Sequence, residues 1–288
     1  MIGLTQVLTD AGENMDEGRR NRGRGGDAQG RQARDTSYQV EVVQRALQLL
    51  TLVADAPSLS LAELARRSGL TKARAFRLLH TLEASGFVLH QDGEPGFRLG
   101  YQALRVGARA GEQLDVVRVA RPVVELIGQR CDETVQLRVR DGLHSVCVCR
   151  WETSKPVRYH TEVGRRVPLH AGSGRLLLAF APADVQRSVL ASPLEAFTSA
   201  TPSNPDRLGR DLAAIRKQGY CVTQGELEPG AISASVPVRD AAGDVAAAFI
   251  VAAPIARIGP SRASELIAWA REGATLITTS LGGSAERR

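Results

Sequence analysis

The sequence predicts an α+β protein in two parts: an N-terminal winged helix-turn-helix joined by a linker helix to an antiparallel sheet with flanking helices. Three observations predict it. Residues 59–86, LSLAELARRSGLTKARAFRLLHTLEASG, read as two short amphipathic helices around a glycine, and a compact strand–turn–strand follows them. The second half then changes period, with runs such as 133–140 and 143–151 alternating every second residue. The chain closes on a helix striped by Leu266, Ala270, Ala274, Ile277 and Leu281.

Residues 1–37 are rich in glycine and arginine and have little apolar surface to bury. They are expected to be disordered, a passive extension rather than an arm on DNA. Residues 38–99 form the expected DNA-binding domain. Its first helix, 42–54, should back the others through Val43, Ala46, Leu47, Leu50 and Val53, with Arg45 placed to touch a phosphate. Ser60 and Glu63 have capping-box spacing, and Leu59 with Leu64 makes a hydrophobic staple. Gly69 stops that helix, and Thr71 caps the next. There Ala75, Leu78, Leu79 and Leu82 share one face. Ala73, Arg77 and His80 point the opposite way, with Arg74 and Thr81 beside them. A basic helix exposed in this manner lies in the major groove of DNA. Residues 87–90 and 97–99 are the strands of a wing, with a turn at 92–96. His90 and Arg98 are placed there for phosphate or minor-groove contact, and Ser60 joins the DNA-facing set.

Residues 100–115 are the expected linker helix, with Leu104 and Val106 as packing residues and a role in pairing with a second copy. The second domain is expected over 116–283 and a tail over 284–288. A helix at 116–130 is interrupted or restarted at Pro122. A hairpin turns at Asp141-Gly142, and a third strand is expected at 157–162. A helix runs from Pro205 to Lys217. Strands follow at 219–223, 231–238 and 245–253, and the closing helix at 261–281. In the strand at 231–238, Ile232, Val236 and Val238 face one way, and Ser233 and Ser235 the other.

The 288 residues carry a formal charge of +6, which suits a polyanionic partner. The four cysteines make no CxxC pair and read as reduced, partly buried residues of a cytosolic protein; Cys147 and Cys149 fall on one face of a strand. No metal or other cofactor is expected. No apolar run is long enough for a membrane span, no secretory signal is visible, and a cytoplasmic location is expected.

Residues 168–175, PLHAGSGR, precede the apolar run 176–180. Small residues at a helix start let backbone amides approach a ligand, and the positive helix end favours an anion such as a carboxylate. A plain helix start packed on the sheet explains the same residues equally well. Ser173 and His170 invite a catalytic reading, but there is no G-x-S-x-G elbow and no acid placed to orient the histidine. A hydrolase acting through Ser173, or a winged helix that binds protein, are the alternatives, and the chain is expected not to be an enzyme.

From about Val40 to Leu281 the chain resembles the IclR family of bacterial transcriptional regulators. The resemblance is carried by RALQLL, SLAELARRSGLTKARAFRLLHTLEASGFV and FRLG in the first half. In the second it is carried by VGRRVPLHAGSGRLLLA, GYCVTQGELEPGAISASVPVRDAAGDVAAAFIVAAP and the closing helix. It implies a winged helix on a palindromic double-stranded operator, a GAF-like domain binding a small organic acid or aromatic metabolite, and homodimers or dimers of dimers. By the same resemblance Thr71, Lys72, Ala73, Arg74, Phe76 and Arg77 match the DNA-reading helix. Gly172, Ser173, Gly174, Thr223, Ala231, Ser233, Ile250 and Ala252 match the effector pocket. The chain departs from the family at several points: the loop at Gly172 and Ser173 is one residue shorter, Thr223 stands where many members have Asp, and Ser233 where Cys is frequent. Ile250 and Ala252 replace serines of members that bind very small carboxylates. These changes imply an effector larger or more apolar than glyoxylate or pyruvate.

Overall fold

The computed structural model describes residues 39–90 and 96–284. The expected N-terminal tail, most of the wing turn and the last residues of the C-terminal tail lie outside them. The chain divides into two compact units between Leu104 and Arg105.

The first unit holds α1 (Glu41–Asp55), α2 (Leu61–Ser68), α3 (Lys72–Ala84), β1 (Val88–His90) and β2 (Phe97–Leu99). Leu49, Val53, Leu64, Ala65, Ala75, Leu79, Val88 and Phe97 form its core. On α1 the buried line runs through Leu49 and Val53. Val43 and Leu47, predicted to pack, lie more than a quarter turn away and are exposed. The Ser60 hydroxyl accepts from the Glu63 amide at 3.3 Å, which is half of a capping box. The Glu63 carboxylate turns instead to Arg66 and Arg67, whose hydrogen bonds pull its pKa down to about 2. Gly69 closes α2 at φ 68°, the left-handed conformation a glycine adopts without strain. Leu59 bridges to Phe97, adding a third short edge to the wing that the sequence reading had not foreseen.

α4 (Tyr101–Gln113) buries none of its residues. Leu104 and Val106, expected to pack, are 71% and 51% exposed.

The second unit begins with α5 (Asp115–Cys131), which runs unbroken through Pro122. Pro122 is on the exposed face, so the carbonyl deprived of its amide partner can turn to water. Six strands follow: β3 (Thr134–Asp141), β4 (His144–Trp151), β5 (Arg166–Pro168), β6 (Cys221–Gln224), β7 (Ala231–Arg239) and β8 (Val245–Pro254). They pair antiparallel in the order β5-β4-β3-β8-β7-β6. Between β4 and β6 lie α6 (Gly174–Ala179), α7 (Ala183–Ala191) and α8 (Pro205–Gln218), and α9 (Ala263–Ser280) closes the chain.

The two faces of the sheet carry separate cores. Val135, Leu137, Ile232, Phe249 and Val251 pack with α5 and α9. Gly273 brings α9 onto the sheet, because a Cβ there would stand 2.3 Å from the Phe249 ring. Ala248, Ile250 and Cys221 pack on the other face with α6, α7 and α8.

Two expectations are corrected here. Residues 157–162 form no strand; side chains, not a ladder, take up their carbonyls. Thr134 donates to Tyr159 O at 2.7 Å, Arg257 to Val157 O at 2.9 Å and Arg150 to Thr161 O at 2.6 Å. Cys147 and Cys149 do not share a face. A bulge in the β3–β4 pairing sets Cys149 opposite Leu137 but Cys147 opposite Arg138, and those partners point to opposite sides.

Candidate nucleic-acid interface and ligand cavity

The exposed face of α3 carries Ala73, Phe76, Arg77 and His80, spaced one helical turn apart, with Lys72 at its start. Thr71 caps the helix by accepting from the Arg74 amide at 3.3 Å. Lys72 and Arg77 have no side-chain hydrogen bond or ion pair within the described residues. Phe76 is 54% exposed and stacks on His80, ring centres 6.1 Å apart. Arg74 and Arg45 differ from them. One carboxylate, Glu41, holds both: Arg74 at 3.1 Å and Arg45 at 3.6 Å. The sequence reading missed this tie, which joins residues far apart in the chain.

In the wing, His90 Nδ1 lies 2.9 Å from Gly96 O, and its ring stacks on Phe97. Arg98 is exposed on β2 opposite Leu89. Ser60 is exposed at the start of α2, its hydroxyl engaged in the cap.

In the second unit Gly172, Ser173, Thr223, Ala231 and Ser233 line one small cavity together with Tyr159, Leu227 and Glu228. The cavity measures about 20 Å³, room for roughly one water. Thr223 and Ser233 share a hydrogen bond of 2.7 Å across the β6–β7 pair. Gly174, Ile250 and Ala252 are not in its lining: Gly174 packs on Leu169, and Ile250 and Ala252 are fully buried on β8. Ser235 is also buried and donates to the Cys221 carbonyl at 3.3 Å.

The loop amide expected to meet an anion already has one. Gly172 N donates to the Glu226 carboxylate at 3.0 Å, and Arg175 grips the same carboxylate through Nε at 3.1 Å and through Nη2. Asp211 lies 3.4 Å from Arg175 on its other side. Burial pushes the Glu226 carboxyl upward, while Arg175 and the Gly172 amide pull it back. Three N–H groups aimed at it serve the ionised form. Gly172 holds φ 58°, and a Cβ there would stand 2.6 Å from Leu227. His170 is not poised for catalysis: its ring sits 2.9 Å from the Glu195 carbonyl and stacks on Phe197.

A winged helix with free cations on its second helix-turn-helix helix, followed by an α+β unit with a small polar cavity, defines a DNA-binding regulator with its own sensory domain. Residues 42–92 match the IclR helix-turn-helix domain and residues 108–279 the bacterial transcriptional regulator IclR C-terminal domain, so the chain belongs to the IclR family. It is 32% identical over 244 residues to the HTH-type transcriptional regulator KipR of Bacillus subtilis, covering 84% of this chain and 97% of that one. It is 30% identical to the transcriptional repressor IclR of Escherichia coli, covering 85% and 91%. An IclR transcriptional regulator from Alicyclobacillus acidocaldarius superposes with TM-score 0.77 at 26% identity, covering 85% of this chain and all of that one. An IclR homolog from Microbacterium hydrocarbonoxydans, solved in complex with 4-hydroxybenzoate, superposes with TM-score 0.71 at 27% identity, covering 83% and 98%. The chain is thus an IclR-type DNA-binding transcriptional regulator with an effector-binding C-terminal domain. No described helix is long and apolar enough to cross a membrane.

Proposed function

We propose that the protein is a cytoplasmic repressor that reads a palindromic operator through α3 and releases it when a small organic acid enters the cavity beside Thr223 and Ser233. One observation carries the DNA-reading half: Lys72 and Arg77 stand exposed, without a partner among the described residues, on a helix capped by Thr71. Arg77 reads base edges, with Phe76 offering apolar contact to a thymine methyl. Thr71, Lys72 and Ala73 meet the groove at the helix start. Arg45, Arg74, Ser60, His90 and Arg98 bind phosphate or line the minor groove.

The working form is a homodimer or a dimer of dimers. Support comes from apolar side chains that stand exposed among the described residues: Val42, Val43 and Leu47 on α1, and Tyr101, Leu104 and Val106 on α4. Two copies paired there would set half-sites a helical repeat, or a multiple of it, apart on one DNA face. The effector acts by preferring one spacing or freedom of the paired winged helices over another.

The effector is an acid with an apolar body, larger than a two- or three-carbon acid. The homolog solved with 4-hydroxybenzoate supports that size. The cavity must open to admit it. A gel shift with the DNA upstream of the protein's own gene, repeated across a panel of organic acids, tests the whole reading. Retardation that one acid relieves is expected; retardation equal on any DNA and untouched by every acid would contradict it.

A further inference from the structure

We infer that a second ligand site lies between α9 and the edge of β7, shaped for a small organic dianion with an acidic group at each end. The sheet itself leaves the space. β6 pairs with β7 only from Ile232 to Ser235, so Val236 to Arg239 have no ladder partner on that edge among the described residues. Pro237, which has no N–H to donate, suits an uncovered edge. α9 runs beside it, and Arg271, Ala274, Thr275 and Thr278 recur there at i, i+3, i+4 and i+7. With Arg239 and the turn at Gln218 and Gly219, they line a cavity of about 230 Å³. It shares no lining residue with the cavity beside Thr223 and Ser233.

The lining has two cations and no acid. Arg271 is exposed and Arg239 half-buried, and neither has a carboxylate within ion-pair distance among the described residues. Aromatic rings hold them instead: Arg271 lies 5.2 Å over the Tyr220 ring and Arg239 5.2 Å over that of Phe180. A ring meets the flat face of a guanidinium and leaves the N–H edge, where an oxyanion binds, uncovered. Arg239 commits Nη1 to the Gly243 carbonyl at 2.8 Å; Arg271 makes no hydrogen bond within the described residues. The acids next to them in the chain are engaged elsewhere. Glu272 pairs with Arg130, and Asp240 accepts from the Ala242 and Asp244 amides at 3.0 Å. Thr278 Oγ1 accepts from the Arg239 amide at 3.0 Å and donates to no described group, which leaves its hydrogen for a ligand.

Arg271 and Thr278 are seven residues apart on α9, about 10 Å along the axis. The site is therefore elongated. Arg271 and Gln218 mark one end, and Arg239 and Thr278 the other. Its volume lies below the roughly 300–1,000 Å³ of pockets for drug-sized ligands, so the ligand is small. Dicarboxylates and phosphorylated carboxylic acids share the required chemistry.

The test uses the full chain and calorimetric titration with glutarate and adipate, each beside its half-amide, and with 3-phosphoglycerate. The wild type should bind at least one diacid about tenfold or more tighter than its half-amide. Tighter binding of 3-phosphoglycerate than of either diacid would assign the phosphorylated source, and the reverse the dicarboxylate. Arg271→Gln and Arg239→Gln should each erase the diacid preference. Arg187→Gln, which removes an exposed cation on α7 outside the cavity, should keep it. A preference that survives both cavity variants would overturn the site, as would an equal loss in Arg187→Gln, which would mark a general charge effect. Should one cavity variant not fold, the other decides by the same reading. Absence of any dianion binding sinks this inference and leaves the effector reading, tested by the gel shift above, untouched.

Discussion

Arginine is used in opposite ways in the two units. On the first, Arg77 stands in solvent, and Arg74 and Arg45 share the exposed Glu41 at 3.1 and 3.6 Å. Such pairs are worth little in water, so phosphate oxygens can replace Glu41 at small cost. On the second, Arg175 and Arg138 are interred. Arg175 is locked to Glu226 and Asp211, and Arg138 is held by neutral groups alone. Out of water, one lost partner leaves a charge that nothing solvates. The same side chain is therefore an exchangeable contact in one place and a fixed element of structure in the other.

The largest expected effect tests the fixed kind. Glu226→Ala leaves buried Arg175 with Asp211 alone and frees the Gly172 amide, and should cost about 3 kcal/mol in urea unfolding of the second unit. A loss below about 1 kcal/mol would mean that solvent reaches this pair and that the contrast is overdrawn. Next comes the support of the exposed kind. Thr71→Ala should lower the stability of the first unit by about 1 kcal/mol, because the Arg74 amide loses its acceptor. Arg45→Ala should weaken binding to operator and random DNA alike and reduce the slope of log affinity against log salt by about 1. Loss on the operator alone would give Arg45 a base-reading role instead.

The smallest effect is on pH dependence. Hydrogen bonds from Arg158 and then His160 pull Glu152 from 4.5 down to about 2. That stabilisation is present above pH 4.5 and disappears as pH falls toward about 2. The same contact raises His160 above its ordinary 6.5, so its share is complete below pH 6.5 and is lost as pH rises through the elevated value. Glu152→Gln should flatten both limbs of the melting-temperature profile. An unchanged profile would mean that solvent screens this exposed cluster completely.

Legibility in the sequence followed the range of the interactions. The caps at Gly69 and Thr71, the helix start at Pro205, the Asp141-Gly142 turn and the α9 stripe are set within a few residues and were read correctly. The bulge opposite Cys147 and the segment 157–162 depend on strands and side chains brought in from elsewhere, and period-two counting misread both. At the cavity, Ser233 was legible as a polar position on a sheet strand, and Thr223 through the family resemblance. Tyr159 was not, because it lies on irregular chain. The Glu226–Arg175 lock escaped too, since nothing local foretells a contact made across 51 residues.

The most direct test of the account is the affinity of wild type and Arg77→Ala for an operator duplex and a scrambled duplex of equal length, measured by fluorescence anisotropy at fixed salt. The exposed guanidinium, without a partner among the described residues, predicts a loss of about 10- to 100-fold on the operator, with a much smaller loss on the scrambled duplex. Equal losses on the two would contradict the claim that this face of α3 reads sequence.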